Sequence, residues 1–177
     1  MLGGTVMGQQ PGNLIIFDFT NPADYEQWQV INDGVMGGIS QSTMSRGGKE
    51  TALFLGTVSL ENYGGFCSAS TRPVKSHDLS SYKGIAMRLK GDGKKYKATL
   101  KTDASFTGFV YQYAFSTRPG EWITVQAPFQ EFVATFRGMP QQSAGKLDSS
   151  SIKSFGFLIS DKQAGRFRLE IDWIKSY

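Results

Sequence analysis

The chain has one cysteine and one histidine in 177 residues, and those two scarcities remove several kinds of chemistry at once. A single cysteine, Cys67, permits no internal disulfide and suits a reducing compartment. One imidazole, His77, and one thiol cannot supply the usual ligand set of a transition metal. The same pair could in principle act as nucleophile and base, but Gly65-Phe66-Cys67-Ser68 carries no signature of an oriented base or an oxyanion hole. Cys67 therefore reads as a small buried hydrophobe, and His77, beside Asp78 and after Pro73, as part of a polar loop. Long apolar runs are missing too: no stretch approaches the roughly 18 residues of a membrane span. Met1 to Gly12 has neither the basic flank nor the apolar core of a signal peptide.

Phosphate cradles are absent by pattern. Gly34-Val35-Met36-Gly37-Gly38 lacks the G-x-G-x-x-G spacing and a following helix, and Arg46 to Thr51 lacks the frame of a phosphate loop, so both read as turns. Asp18, Asp33, Asp92, Asp161 and Asp172 could lend oxygens to a calcium ion, yet none lies in a D-x-D-x-D-G loop, and no metal or cofactor is expected. A glycosidase pair among the carboxylates cannot be read from spacing, and acids on wet strand faces are ordinarily solvated charges, so no catalytic residue is assigned.

What is present is the composition of a packed β protein: 13% aromatic residues and 21 glycines against 19% charged residues. Short runs separated by glycine predict strands at Leu14–Phe19, Ile39–Ser45, Ala52–Leu60, Gly65–Thr71, Gly84–Lys90, Tyr96–Thr102, Phe109–Thr117, Trp122–Ala127, Phe155–Ser160 and Arg166–Ser176. Alternation places Phe167, Leu169, Ile171 and Trp173 on one face of the last strand. Asn21 to Trp28 suits one helical turn, opened by Pro22 with Asp24 near its start. Gly91-Asp92-Gly93 predicts a hairpin, and Phe129 to Ser154 a long crossing loop with a short helical piece near Asp148–Lys153. Residues 1–13 read as a flexible tail and 14–177 as one all-β domain of the jelly-roll type.

The net charge of +4 comes from 19 basic and 15 acidic residues that are interleaved, which makes nucleic acid an unfavoured partner. The nearest thing to a cationic patch is Lys90, Lys94, Lys95, Lys97 and Lys101, read as solvated lysines guarding an edge strand.

The segment Trp28-Gln29-Val30-Ile31-Asn32-Asp33-Gly34-Val35-Met36-Gly37-Gly38-Ile39-Ser40 is distinctive. With Gly64 to Ser68, Tyr82 to Ile85, Arg88 to Gly93, Tyr96, Trp122, Val125, Pro128-Phe129, Phe132, Arg137-Gly138, Gly165 to Phe167 and Glu170 to Asp172, it resembles the complex I intermediate-associated protein 30 family, from about Phe17 to Tyr177. The resemblance implies a galactose-binding-like jelly-roll β-sandwich. Mitochondrial members of that family act as assembly factors for respiratory complex I. The chain lacks their long targeting extension and looks like a bare bacterial-type member. It is therefore expected in the cytoplasm, peripheral to a membrane complex, or inside an organelle if eukaryotic.

Three functional readings follow. The first is a non-catalytic domain that binds subunits or assembly factors of a membrane-associated electron-transfer complex, through Asp33, Val35, Met36, Arg137 and Met139; Met36 and Met139 would be adaptable contact surface beside glycine turns. Met36 could equally fold into the core while Asp33 caps a turn. The second is a carbohydrate-binding module using Arg88, Asp92, Tyr111, Gln112 and Tyr113, although Tyr111 and Tyr113 could instead share a buried face with Phe109 and Phe115. The third is RNA binding along the lysine-bearing strands.

Overall fold

Strand alternation sorts the chain into two layers, each with one apolar face turned toward the other. The computed structural model describes residues 12–105 and 108–177, and thirteen strands occur among them. In chain order these are β1 (Ile15–Phe17), then a helical turn α1 (Pro22–Glu26), β2 (Trp28–Asn32), β3 (Gln41–Arg46), β4 (Ala52–Val58), β5 (Cys67–Thr71), β6 (Gly84–Lys90), β7 (Lys95–Lys101), β8 (Val110–Ser116), β9 (Trp122–Pro128), β10 (Val133–Phe136), β11 (Met139–Pro140), β12 (Ser154–Ile159) and β13 (Gly165–Ser176). One sheet runs β3-β4-β13-β6-β9, with β1 added against β13; the other runs β11-β10-β8-β7-β12-β5-β2. Every pairing between strands is antiparallel. The result is a jelly-roll β-sandwich, as expected.

The core between the sheets is aromatic at one end. Phe17, Phe19, Trp28, Phe155 and Phe157 are all buried, with Trp28 stacked on Phe157 at 5.9 Å and Phe155 edge-on to Phe17 at 6.0 Å. Fully buried Leu89, Leu100, Ile171 and Tyr96 continue it along the sandwich. Asn21 caps α1 by accepting from the Ala23 amide at 3.0 Å, so the helical turn forms as read, but it ends before Trp28, which opens an edge strand.

Four other expectations are corrected. Gly91-Asp92-Gly93 does not close a hairpin: β6 and β7 belong to different sheets, and the turn carries the chain across the sandwich. Asp92 organises that crossing by accepting from the Tyr96 hydroxyl at 2.9 Å, the Lys94 amide at 3.1 Å and the Arg168 amide at 2.9 Å. The lysines guard no edge, because β7 lies in the middle of its sheet and Lys97 pairs with Asp161 at 2.9 Å. Trp173 leaves the apolar face of β13 because the register shifts between Ile171 and Trp173, a bulge that hands the inward position to Ile174. Finally, the long crossing loop contains the short strands β10 and β11, alongside the foreseen helical piece at Ser149–Ser151, which Asp148 caps.

His77 lies in the polar loop between β5 and β6, as read, but is itself half-buried while residues 72–76 and 78 are exposed. Its backbone bridges Ile152, its ring lies edge-on to Phe155 at 5.3 Å, and burial, helped by Lys75, lowers its pKa from 6.5. The unfolded chain therefore takes up this proton first as pH falls, and stability present above pH 6.5 declines below it. We expect the urea midpoint to drop between pH 7 and pH 5.5, and a His77→Gln variant to lose that part of the drop; an unchanged slope in the variant would refute the assignment. His77 and Cys67 do not meet, since they lie beside Ile152 and Ile159, seven residues and up to about 23 Å apart at roughly 3.3 Å per residue along the segment that leads into β12. Cys67 is fully buried, and burial pushes its thiol up to about 11, the state of an inert structural cysteine.

Candidate functional site

Asn32 ends β2, and the next four residues, Asp33–Met36, form one 3-10 turn that Gly37 stops in the left-handed region at φ 90°. This turn faces inward through Asp33, which is 1% exposed. One carboxylate oxygen accepts the Ser40 amide at 2.9 Å; the other accepts the Ser40 hydroxyl and the amides of Gly65 at 2.7 Å and Phe66 at 3.3 Å. Burial raises the pKa of this carboxyl, but those donors outweigh burial and hold it below 3.8, so it is ionised in the folded protein. The Ser40 hydroxyl oxygen also accepts the Ser59 amide at 2.9 Å. A buried anion thus ties the loop 33–40 to the loop 59–66.

Space around the anion is limited on both sides. A Cβ on Gly64 would stand 2.6 Å from the Asp33 carboxylate, and one on Gly38 2.8 Å from its Cβ, so both loops need glycine to close on it. The outer surfaces of the loops carry four exposed apolar side chains beside exposed Glu61 and Asn62. Met36 is 65% exposed, Ile39 50%, Leu60 44% and Tyr63 97%, and Asn62 and Tyr63 both adopt positive φ. Consecutive left-handed residues that are not glycine are uncommon, and here they project Tyr63 outward.

The residues expected to make contacts are divided by this arrangement. Asp33 is a buried clasp and touches no solvent-borne partner, which corrects its reading as contact surface. The backbone of Val35 lies in the exposed turn, while its side chain lies outside the described residues. Met36 is exposed rather than folded into the core. Arg137 and Met139 sit at the β10–β11 turn, with Arg137 at φ 49° over the Phe136 ring at 5.4 Å and Met139 67% exposed. Because β11 and β2 are the two edges of the seven-stranded sheet, this turn and the Met36 loop are six strand spacings apart, roughly 29 Å along the sheet at about 4.8 Å each.

The five residues of the carbohydrate reading do not converge either. Arg88 lies on the six-stranded sheet, paired with Asp172, and Gln112 on the seven-stranded one. Asp92 is spent on the crossing turn. Tyr111 is 5% exposed and Tyr113 packs on Phe132 at 5.7 Å, so neither offers a free ring; they share their face with buried Phe115 as read, whereas Phe109, placed with them in the sequence, precedes β8 and is 38% exposed. The row running across the outer face of the seven-stranded sheet reads Val133, Gln112, Thr99, Gly156, Ser70, Gln29, with no aromatic platform in it.

By fold the chain is a jelly-roll β-sandwich. The family 11 carbohydrate-binding module of a Clostridium thermocellum cellulase superposes with a TM-score of 0.68 at 19% identity, covering 93% of this chain and 94% of that one, a likeness of fold alone. The sequence profile of the family described as Complex I intermediate-associated protein 30 matches residues 17–171, and the chain belongs to that family. It is 31% identical to the mitochondrial Complex I intermediate-associated protein 30 of Mus musculus over 90% of its length, and 28% identical to that of Drosophila melanogaster over 93%. It spans 55% of the mouse protein and 63% of the fly protein. Among the described residues, no helix is long and apolar enough to cross a membrane.

Proposed function

We propose that this chain is a non-catalytic protein-binding domain that assists assembly of a membrane-associated electron-transfer complex, working at the periphery of the membrane, on the cytoplasmic side in a bacterial cell. The observation that carries the reading is the pair of loops fixed by buried Asp33, which hold Met36, Ile39, Leu60 and Tyr63 out to solvent in a member of a family named for a complex I intermediate. Four exposed apolar side chains on one rigid support are what a protein contact uses and what an isolated soluble domain gains nothing from. A preordered support also lowers the entropy lost on binding.

The test is affinity capture of the tagged protein from detergent-solubilised membranes, with mass spectrometry of what is retained. Subunits or assembly intermediates of an electron-transfer complex are expected, and Met36→Asp with Tyr63→Asp should reduce their recovery roughly tenfold while the melting temperature stays within about 2 °C. Full recovery with the double variant would remove these loops from the interface. Retention of no such subunit, together with binding on a glycan array, would replace the reading with a carbohydrate one.

A further inference from the structure

The outer face of the six-stranded sheet carries a second, differently built surface. Along β13, Arg166, Arg168, Glu170 and Asp172 point outward, and β6 sets Arg88 and Lys90 beside them. Glu170 accepts from Lys90 at 2.9 Å and from Arg168 at 3.5 Å, and its other oxygen accepts the Thr51 hydroxyl at 2.9 Å; Asp172 pairs with Arg88. The heights of these charges differ. The Glu170 and Asp172 side chains are 8% and 24% exposed, while those of Lys90, Arg88 and Arg168 are 30%, 43% and 55% exposed. The acids are sunk into the sheet and the cations, four to the two carboxylates, stand over them, so the charge met from solvent is positive.

Two tryptophans stiffen the array. Arg88 and Lys90 lie over the Trp122 ring at 4.9 and 4.7 Å, and Lys175 lies over Trp173 at 4.3 Å. Long cationic side chains normally give up rotamer freedom on binding; these have already lost it to carboxylates below and rings beside them. Half-buried Leu53 and Leu55 sit in register with Glu170 and Arg168, adding apolar area between the charges.

We propose that this face is a docking surface for an acidic protein partner, distinct from the loops clasped by Asp33. Charge complementarity selects the occupant: arginine and tryptophan set among leucines is the make-up of a protein interface centre. A nucleic acid or glycan would need open ring faces for stacking, and the cations of this sheet already cover Trp122 and Trp173.

The experiment places the photo-reactive residue p-benzoylphenylalanine at exposed Thr124, opposite Arg88 on this face, in the full-length chain expressed in its own cells. The proposal expects a protein adduct whose crosslinked peptide is rich in Asp and Glu. Arg166→Glu with Arg168→Glu should lower its yield roughly tenfold. Since Arg168→Glu faces Glu170 and unsettles the sheet, Lys175→Glu alone serves as a second variant, with a roughly threefold loss expected from one reversed, half-buried charge. An adduct with nucleic acid or lipid, a peptide without acidic residues, yields unchanged in both variants, or no adduct would each overturn it. Because the crosslink is read at Thr124, its failure leaves the Met36 and Tyr63 test standing on its own.

Discussion

Asp33→Asn lowers the melting temperature by roughly 6–12 °C. The carboxylate accepts three backbone amides and one hydroxyl in a site closed to water, and an asparagine offers one acceptor oxygen and turns an amine toward donors. At least two buried donors are then unpaired, at about 1–3 kcal/mol each, or about 3 kcal/mol together, and a domain of this size loses roughly 2–4 °C per kcal/mol. The pH dependence separates this from a general packing defect. A folded pKa held below 3.8 means the stabilisation is fully present above that value and is lost as pH falls through the folded value. Wild type and variant should therefore melt far apart at pH 7 and converge toward pH 2, as followed by circular dichroism. A constant gap across that range, or a gap under about 2 °C at pH 7, would mean that the clasp does not hold the loops.

Phe157→Ala should cost about 3–5 kcal/mol in urea denaturation, the range for emptying a buried phenylalanine site, whereas Phe157→Leu should cost under about 1.5 kcal/mol. Phe157 is 1% exposed, stacks on Trp28, and lies on β12 between β5 and β7, so neither neighbouring strand can move in without breaking its own ladder. A cost below about 1.5 kcal/mol for the alanine variant would show that the site collapses and that the aromatic cluster is looser than its geometry implies.

Much of the fold was legible because the rules involved are local. The strand read at Tyr96–Thr102 is β7, and its alternate residues Tyr96, Ala98 and Leu100 are all buried. Sheet membership was not legible, because it depends on partners far along the chain: two alternating runs flanking Gly91-Asp92-Gly93 look alike whether they pair together or part to opposite layers. The bulge that turns Trp173 outward likewise exists only relative to β6. At the candidate site, Asp33, Met36 and the glycines around them stood out in the sequence, but the second loop did not. Its link is a hydrogen bond across 32 residues, from Gly65 to Asp33, and its most exposed residue, Tyr63, has the composition of a core aromatic. Gly64-Gly65 was the available clue, since paired glycines accommodate close approach by another group, here a carboxylate.

The placement of β13 has a consequence for how the protein is made. It is the spine of its sheet, bonded to β1, β4 and β6, and it follows all three in the chain. Until it emerges, β3–β4 and β6–β9 are two separate two-stranded ladders with bare edges facing each other, and Ile15 waits for Lys175, 160 residues later. Such late closure makes the nascent chain a substrate for chaperones and for mispairing between neighbouring ribosomes, since exposed edges recruit any strand within reach. The last strand to be made thus sets the moment at which the sheet stops presenting open edges.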